Sequence, residues 1–296
     1  MTDGIGSGAQ APGYYRFKIG EIEVIALHDG VLTRDRPPGF VANATDDEVG
    51  EAYAAAGMPR DKITITFTAL AVRVADKVSL IDTGLGEFGP PGTGRLLSNL
   101  AAAGIQPEEV SSVVISHFHA DHIYGLRRKD ESLVFPNAEI LVPRKEWDFW
   151  MDDAQMEAAT EAVKGNFGIC RQVFAALADK VRRYAWDAEI VPGLTAMRAN
   201  GHTPGMSAVR IASGDQSMVF VADITNNPLV FARHPDWQAM FDMDPIATVA
   251  TRKRILDMAA SEKLRVSFYH APFPATGYIV KTGTGYEFLP ALWTSD

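Results

Sequence analysis

The chain has 296 residues, 47% of them hydrophobic and 22% charged, and a net charge of −9. That balance belongs to a soluble globular protein with a sizeable core and excludes a disordered chain. The acidic excess argues against nucleic acid as a partner, because such binding is driven by phosphate neutralisation through Lys and Arg. There is no run of about 18 apolar residues to cross a bilayer and no secretory pattern at the start, so no membrane association is expected. The single cysteine, Cys170, excludes an intrachain disulfide framework and fits a reducing compartment, so a cytoplasmic location is expected.

No polar low-complexity linker divides the sequence. Residues 1–13, "MTDGIGSGAQAPG", read as a flexible N-terminus, and 14–296 as one domain. "YYRFKIGEIEVIALHDG" alternates apolar and polar residues on both sides of Ile19-Gly20, which predicts a hairpin. A short helix at "DDEVGEAYAAAG" precedes a second strand pair in "ITITFTALAVRVADKVSLIDTG", with its turn at Ala75-Asp76. "GRLLSNLAAAG" predicts a helix stopped by Gly104, and "SSVVIS" a short buried strand. "AEILVP" predicts another strand, and Lys145 to about Lys180 is a helical segment. "LTAMRANGHTPGMSAVRIASGDQSMVFVADI" holds three strand-like pieces, with Ser213-Gly214-Asp215 as a hairpin turn. Asp244 and Pro245 are placed to cap a helix running to Ala260. A strand at "RVSFYH" and a hairpin in "GYIVKTGTGYEFLP" close the chain. Two batches of strands, each followed by helices, predict two packed sheets with helices outside.

The strand "SSVVIS" delivers the chain into "SHFHADH", Ser116 to His122. In an extended segment residues two apart point the same way, so His117 and His119 can present both rings to one point. Asp121 and His122, reached through the small Ala120, can face the other side of it. A lone histidine is more often solvated or part of a core than a ligand, but four such residues in six positions reverse that weighting. Imidazole with carboxylate and no nearby thiolate suits zinc, and less selectively iron, manganese, cobalt or nickel.

With these residues the sequence resembles the metallo-β-lactamase fold superfamily, whose hallmark is His-x-His-x-Asp-His after a strand. The resemblance implies an αββα sandwich of two mixed sheets with outer helices. It also implies three further ligands in order, present as His202 in "NGHTPGMS", Asp223 in "VFVADI" and His270 in "SFYHAPFP". Taken singly, each has an ordinary structural explanation as a loop residue, a cap or a core residue. By the resemblance His117, His119 and His202 hold one divalent ion, Asp121, His122 and His270 a second, and Asp223 bridges them. Zn²⁺ is expected first, with Mn, Co, Fe or Ni as alternatives. Asp82 in "LIDTG" matches a family feature that supports the site from behind. His28 and His234 fit no motif and read as structural or surface residues.

Such a dinuclear site implies attack by a metal-bridging hydroxide, with Asp121 and Asp223 as the catalytic carboxylates. Lowering the pKa of water from about 15.7 to about 7 is worth roughly 12 kcal/mol at about 1.36 kcal/mol per unit. A positioned side-chain base supplies only about 10²- to 10⁴-fold, so the ions dominate. Longer stretches, among them "FGPPGTGRLLSNLAAAGIQPEEV" and "FPNAEILVPRKEWDFW", resemble the methyl parathion hydrolase branch, which also contains lactonases and aryl-esterases. That likeness implies hydrolysis of an ester, lactone or phosphotriester, with acyl-homoserine lactone as the alternative substrate, and a homodimer. It places Phe88, Trp150 and Phe167 around an apolar or aromatic substrate; as plain sequence they fit a core equally well. One departure is Met206, where the family loop "HTPGH" carries a second histidine. A non-enzymatic binding module is disfavoured, because degenerate relatives lose ligands and all seven positions are filled here.

Overall fold

Gly20, at φ +55°, closes the hairpin between β1 (Tyr14–Ile19) and β2 (Ile22–Asp35). A Cβ there would lie 2.7 Å from the carbonyl oxygen of Ser213, so the turn needs glycine for space as well as for its left-handed backbone. In this computed structural model, which describes residues 11–175 and 177–294, β2 pairs antiparallel with β3 (Lys62–Val74), and Ala75 turns the chain into β4 (Lys77–Ile81). Three parallel strands follow: β5 (Val110–Val114), β6 (Glu139–Pro143) and β7 (Val181–Tyr184). The apolar runs of β4 to β6 do not alternate because both faces of the sheet are covered there.

The second sheet contains β8 (Glu189–Val191), β9 (Leu194–Arg198), β10 (Ser207–Ser213), β11 (Gln216–Phe220), β12 (Arg265–Ser267), β13 (Thr276–Thr282) and β14 (Gly285–Pro290). Among the described residues each sheet has seven strands, and in each the spatial order of strands follows the chain order. The first, β1, packs against β10 and β11 of the other sheet. On the outer faces, α2 (Leu96–Ala102) lies on β1 and β2, α4 (Arg144–Trp150) on β6 and β7, and α8 (Pro245–Ser261) on β13. This is the expected four-layer sandwich.

Local chemistry sets the helix ends. In α1 (Asp46–Ala55) the Thr45 hydroxyl accepts from Glu48 N while Glu48 accepts from Thr45 N, a reciprocal cap. Asp244 caps α8 as expected, accepting from Ala247 N at 2.9 Å. The helical segment expected over 145–180 is divided into α4, α5 (Asp153–Ala158) and α6 (Glu161–Ala175), because Asp152 leaves α4 and caps α5 through Gln155 N. Two further short helices are α3 (Ala120–Ile123) and α7 (Pro228–Phe231). Strands β7 and β8 and helix α7 had no sequence signal: β7 is an edge strand carrying two arginines, and the other two span only a few residues.

Of the stretch 1–13 expected to be flexible, residues 1–10 lie outside the described residues. Gly13 is not loose: its N–H donates to Asn99 Oδ1 and its carbonyl accepts from His28 N, both at 2.8 Å. Among the described residues, no helix is long and apolar enough to cross a membrane.

Candidate metal centre

The ends of strands from both sheets meet at one rim. Beyond β5 the chain runs through Ile115 and Ser116 to His117 and His119, and α3 then carries Asp121 and His122. From the second sheet come His202, in the loop between β9 and β10, Asp223 after β11, and His270 after β12. Gly201 lets its loop close on α8: at φ +133°, a Cβ would fall 2.3 Å from Thr248 N.

These seven residues form two groups, His117, His119 and His202 in one and Asp121, His122, Asp223 and His270 in the other, with the ligand atoms of each within 4.8 Å of one another. In the first, His119 Nδ1 stands 3.2 Å from His117 Nε2 and 2.9 Å from His202 Nε2. Asp223 reaches both groups: its Oδ2 lies 3.4 Å from His202 Nε2 and 3.0 Å from His270 Nε2. Asp121 Oδ2 is 3.5 Å from both His122 Nε2 and His270 Nε2.

In His122, His202 and His270 the ring nitrogen turned away from this point is anchored. His122 Nδ1 meets Asp82 Oδ2 at 2.8 Å, His202 Nδ1 meets Asp242 Oδ1 at 3.0 Å, and His270 Nδ1 meets the Thr66 carbonyl at 2.8 Å. Asp82 also accepts from Ser116 N and Oγ, so the "LIDTG" carboxylate does support the site from behind. Such outer contacts orient an imidazole and fix which nitrogen is left to coordinate. Asp242 is backed in turn by the buried Arg252, 3.7 Å away.

Electrostatically the two groups differ. Burial, and then the neighbouring imidazoles, push His117 well below the ordinary histidine range and His119 down to about 3, so both are neutral donors. Burial opposes charge on His122 and His270 too, but Asp223 and Asp121 outweigh it and raise both. Asp121 is opposed by burial yet held at about 2 by His122 and His270.

The residues fit a pair of divalent cations on a further ground. His122 Nε2 and Asp223 Oδ1, 3.3 Å apart, are buried and neither has a hydrogen-bond partner. An orphaned buried polar atom costs about 1–3 kcal/mol, and a cation between them removes that cost. Three imidazoles beside a mixed carboxylate and imidazole set is a nitrogen and oxygen donor chemistry suited to zinc and to other first-row ions.

A cavity of about 600 Å³ opens over His119, Asp121, His202, Asp223 and His270. Its walls are mainly aliphatic and sulfur-containing, with Leu32, Ile65, Val163, Met240 and Met243, plus Phe67 and Phe241. The three aromatic residues expected from the sequence, Phe88, Trp150 and Phe167, are not among its walls. Trp150 and Phe167 are fully buried and pack edge to face, ring centres 4.8 Å apart, beneath His119, because the indole N–H finds its partner, Glu146, inside α4. Phe88 also lies outside the lining, partly exposed and stacked on Tyr124 at 4.9 Å. Met206 is buried in the core. Neither His28 nor His234 joins the centre; His234 stacks on Trp237. Sequence reasoning missed Glu146, Asp242 and Arg252, none of which lies in a local motif.

Residues 68–270 match the family model described as Metallo-beta-lactamase superfamily. Mouse metallo-beta-lactamase domain-containing protein 1 is 30% identical over 257 residues, 86% of this chain and 78% of that protein. An N-acyl homoserine lactonase of Bacillus thuringiensis is 23% identical over 179 residues, 60% of this chain and 62% of the lactonase, so the match spans less than two thirds of that relative. Among solved structures, AidC, a dizinc quorum-quenching lactonase in complex with a product, N-hexanoyl-L-homoserine, superposes with a TM-score of 0.90 at 29% identity, covering 96% of this chain and 99% of AidC. The hydrolase AbOPH of the beta lactamase superfamily superposes at 0.89 with 27% identity, covering 97% and 100%.

Proposed function

The chain belongs to the metallo-beta-lactamase superfamily, and from that premise we propose that it is a metal-dependent hydrolase that opens small lactones bearing an acyl substituent. The observation that carries this reading is the position of the two donor groups, together on the floor of an apolar cavity of about 600 Å³. His117, His119 and His202 would hold one cation, Asp121, His122 and His270 the other, and Asp223 would touch both. Divalent cations at such a site supply Lewis acidity, polarising a carbonyl and bringing the pKa of water toward neutrality.

The remaining work falls to the protein. Asp121, held ionised and with about a fifth of its side chain open to the cavity, would take a proton from the attacking water and return it to the departing ring oxygen. The aliphatic and methionine walls exclude water and fit an acyl arm better than a stacked aromatic ring. With Trp150 and Phe167 in the core, the case for an aryl ester or phosphotriester as the preferred substrate weakens. The likeness to AidC supports the same reading.

The test compares chelated and Zn²⁺-reloaded protein on N-hexanoyl-L-homoserine lactone, dihydrocoumarin, phenyl acetate and methyl parathion. Chelation should abolish hydrolysis, reloading should restore it, and kcat/KM should be highest for the acyl lactone. Faster turnover of phenyl acetate or methyl parathion would replace the lactone assignment. Activity surviving chelation would remove the metal reading.

A further inference from the structure

Glu146, in α4, is a fully buried carboxylate with no cation paired to it among the described residues. Its two oxygens collect N–H donors from three places. Oε2 accepts from Phe118 N at 3.1 Å and from Trp150 Nε1 at 2.7 Å, while Oε1 accepts from Gly205 N at 2.6 Å. Phe118 stands between His117 and His119, and Gly205 is three residues past His202. One side chain therefore spans the two loops that carry the three-histidine group. The approach is close enough to require glycine, since a Cβ on Gly205 would fall 2.2 Å from Glu146 N. Phe118 is gripped from its other side as well, its carbonyl accepting from the Cys170 thiol at 3.3 Å.

The second group has different anchors. His122 leans on Asp82, His270 on the Thr66 carbonyl, and the Asp121 carbonyl accepts from the Tyr269 hydroxyl. None of these contacts involves Glu146. We propose that Glu146 is a positioning residue that presets only the three-histidine half of the centre, by tying the Phe118 and Gly205 amides to one carboxylate. The proposal rests on the reading of the seven residues as a two-cation site.

A carboxylate is needed because both of its oxygens face donors. Glutamine is nearly isosteric, but in either amide orientation it sets an NH₂ against an N–H donor. Outer-shell changes of this kind typically lower metal affinity about 10- to 100-fold. Without Glu146 to hold them, the two loops can drift apart and the three imidazoles lose their common focus.

The experiment titrates metal-free wild type and Glu146→Gln with Co²⁺, following each equivalent by calorimetry and by the visible absorption of bound cobalt. Wild type should take two equivalents. In Glu146→Gln one equivalent should weaken about 10- to 100-fold, with a changed visible spectrum for that ion alone, and the other should bind as in wild type. Two unaltered equivalents would overturn the proposal, and so would equal weakening of both, which is what general loosening of the fold produces. Fewer than two equivalents in wild type would overturn the two-cation reading and the proposal with it. Amide hydrogen exchange in metal-free wild type supplies a second measurement, independent of whether the variant folds. The Phe118 and Gly205 amides should exchange slowly with no metal present, and fast exchange at either would overturn the proposal.

Discussion

Trp150 Nε1 donates to Glu146 at 2.7 Å, one helical turn back along α4, and this bond turns the indole into the core beneath His119. Trp150→Ala should accordingly behave as a core truncation, destabilising the metal-free protein by about 3–5 kcal/mol. The ratio of rates on aromatic and aliphatic lactones should stay as in wild type. Urea unfolding and that ratio check it together; a shifted ratio at unchanged stability would return Trp150 to the substrate.

Asp223 is the side chain shared by the two donor groups, so Asp223→Ala should disturb both. Direct metal analysis should show substoichiometric loading, and hydrolysis should fall by more than about 100-fold, beyond the usual range of outer-shell substitutions. A variant that retained two ions and most of its activity would remove the bridging role.

Proton release should divide the two cations. At pH 7 His122, raised well above 6.5, carries a proton that it must lose to coordinate, whereas His117 and His119 are already neutral. Calorimetric titration in buffers of different ionisation enthalpy should therefore show proton release with one equivalent far more than with the other. His119 also sets an acid limit. Neutral in the folded chain down to about 3 but protonated below 6.5 when unfolded, it contributes to stability above that window and loses the contribution as pH falls through it. His122 has the opposite sign: its contribution is full below 6.5 and is lost as pH rises through its elevated value.

Phe241 lines the cavity beneath Arg34, whose guanidinium lies 5.8 Å from the ring centre. Phe241→Ala should remove about 1–2 kcal/mol of binding for substrates long enough to reach it, raising KM about 5- to 30-fold for long-chain acyl lactones. Short-chain lactones should be affected less. Equal effects on both chain lengths would place the acyl arm elsewhere.

Four members of the candidate centre were legible in the sequence itself because they sit in one short motif, and the other three through the family resemblance that motif carries, which implies their order and local settings. Strands with alternating or β-branched runs were legible too. The supporting side chains were not. Glu146 meets Phe118 across 28 positions and Gly205 across 59, and Asp242 meets His202 across 40, so no local pattern joins them. The aromatic residues failed for another reason. Composition cannot tell a ring that walls a cavity from one that fills a core; for Trp150 the difference lies in where its N–H finds an acceptor, and for Phe88 in its stacking on Tyr124.

Because strand order follows chain order in both sheets, the polypeptide, among the described residues, passes from the first sheet to the second once, between Tyr184 and Glu189. His117, His119, Asp121 and His122 precede that crossing, and His202, Asp223 and His270 follow it, so neither side owns a complete shell for either ion. Cations held by these residues would act as rivets between two consecutive lengths of chain. A single protease nick at 185–188 would leave two pieces whose grip on each other tightens with every ion bound and slackens under chelation, making the enzyme's mechanical integrity and its catalytic competence respond to the same metal supply.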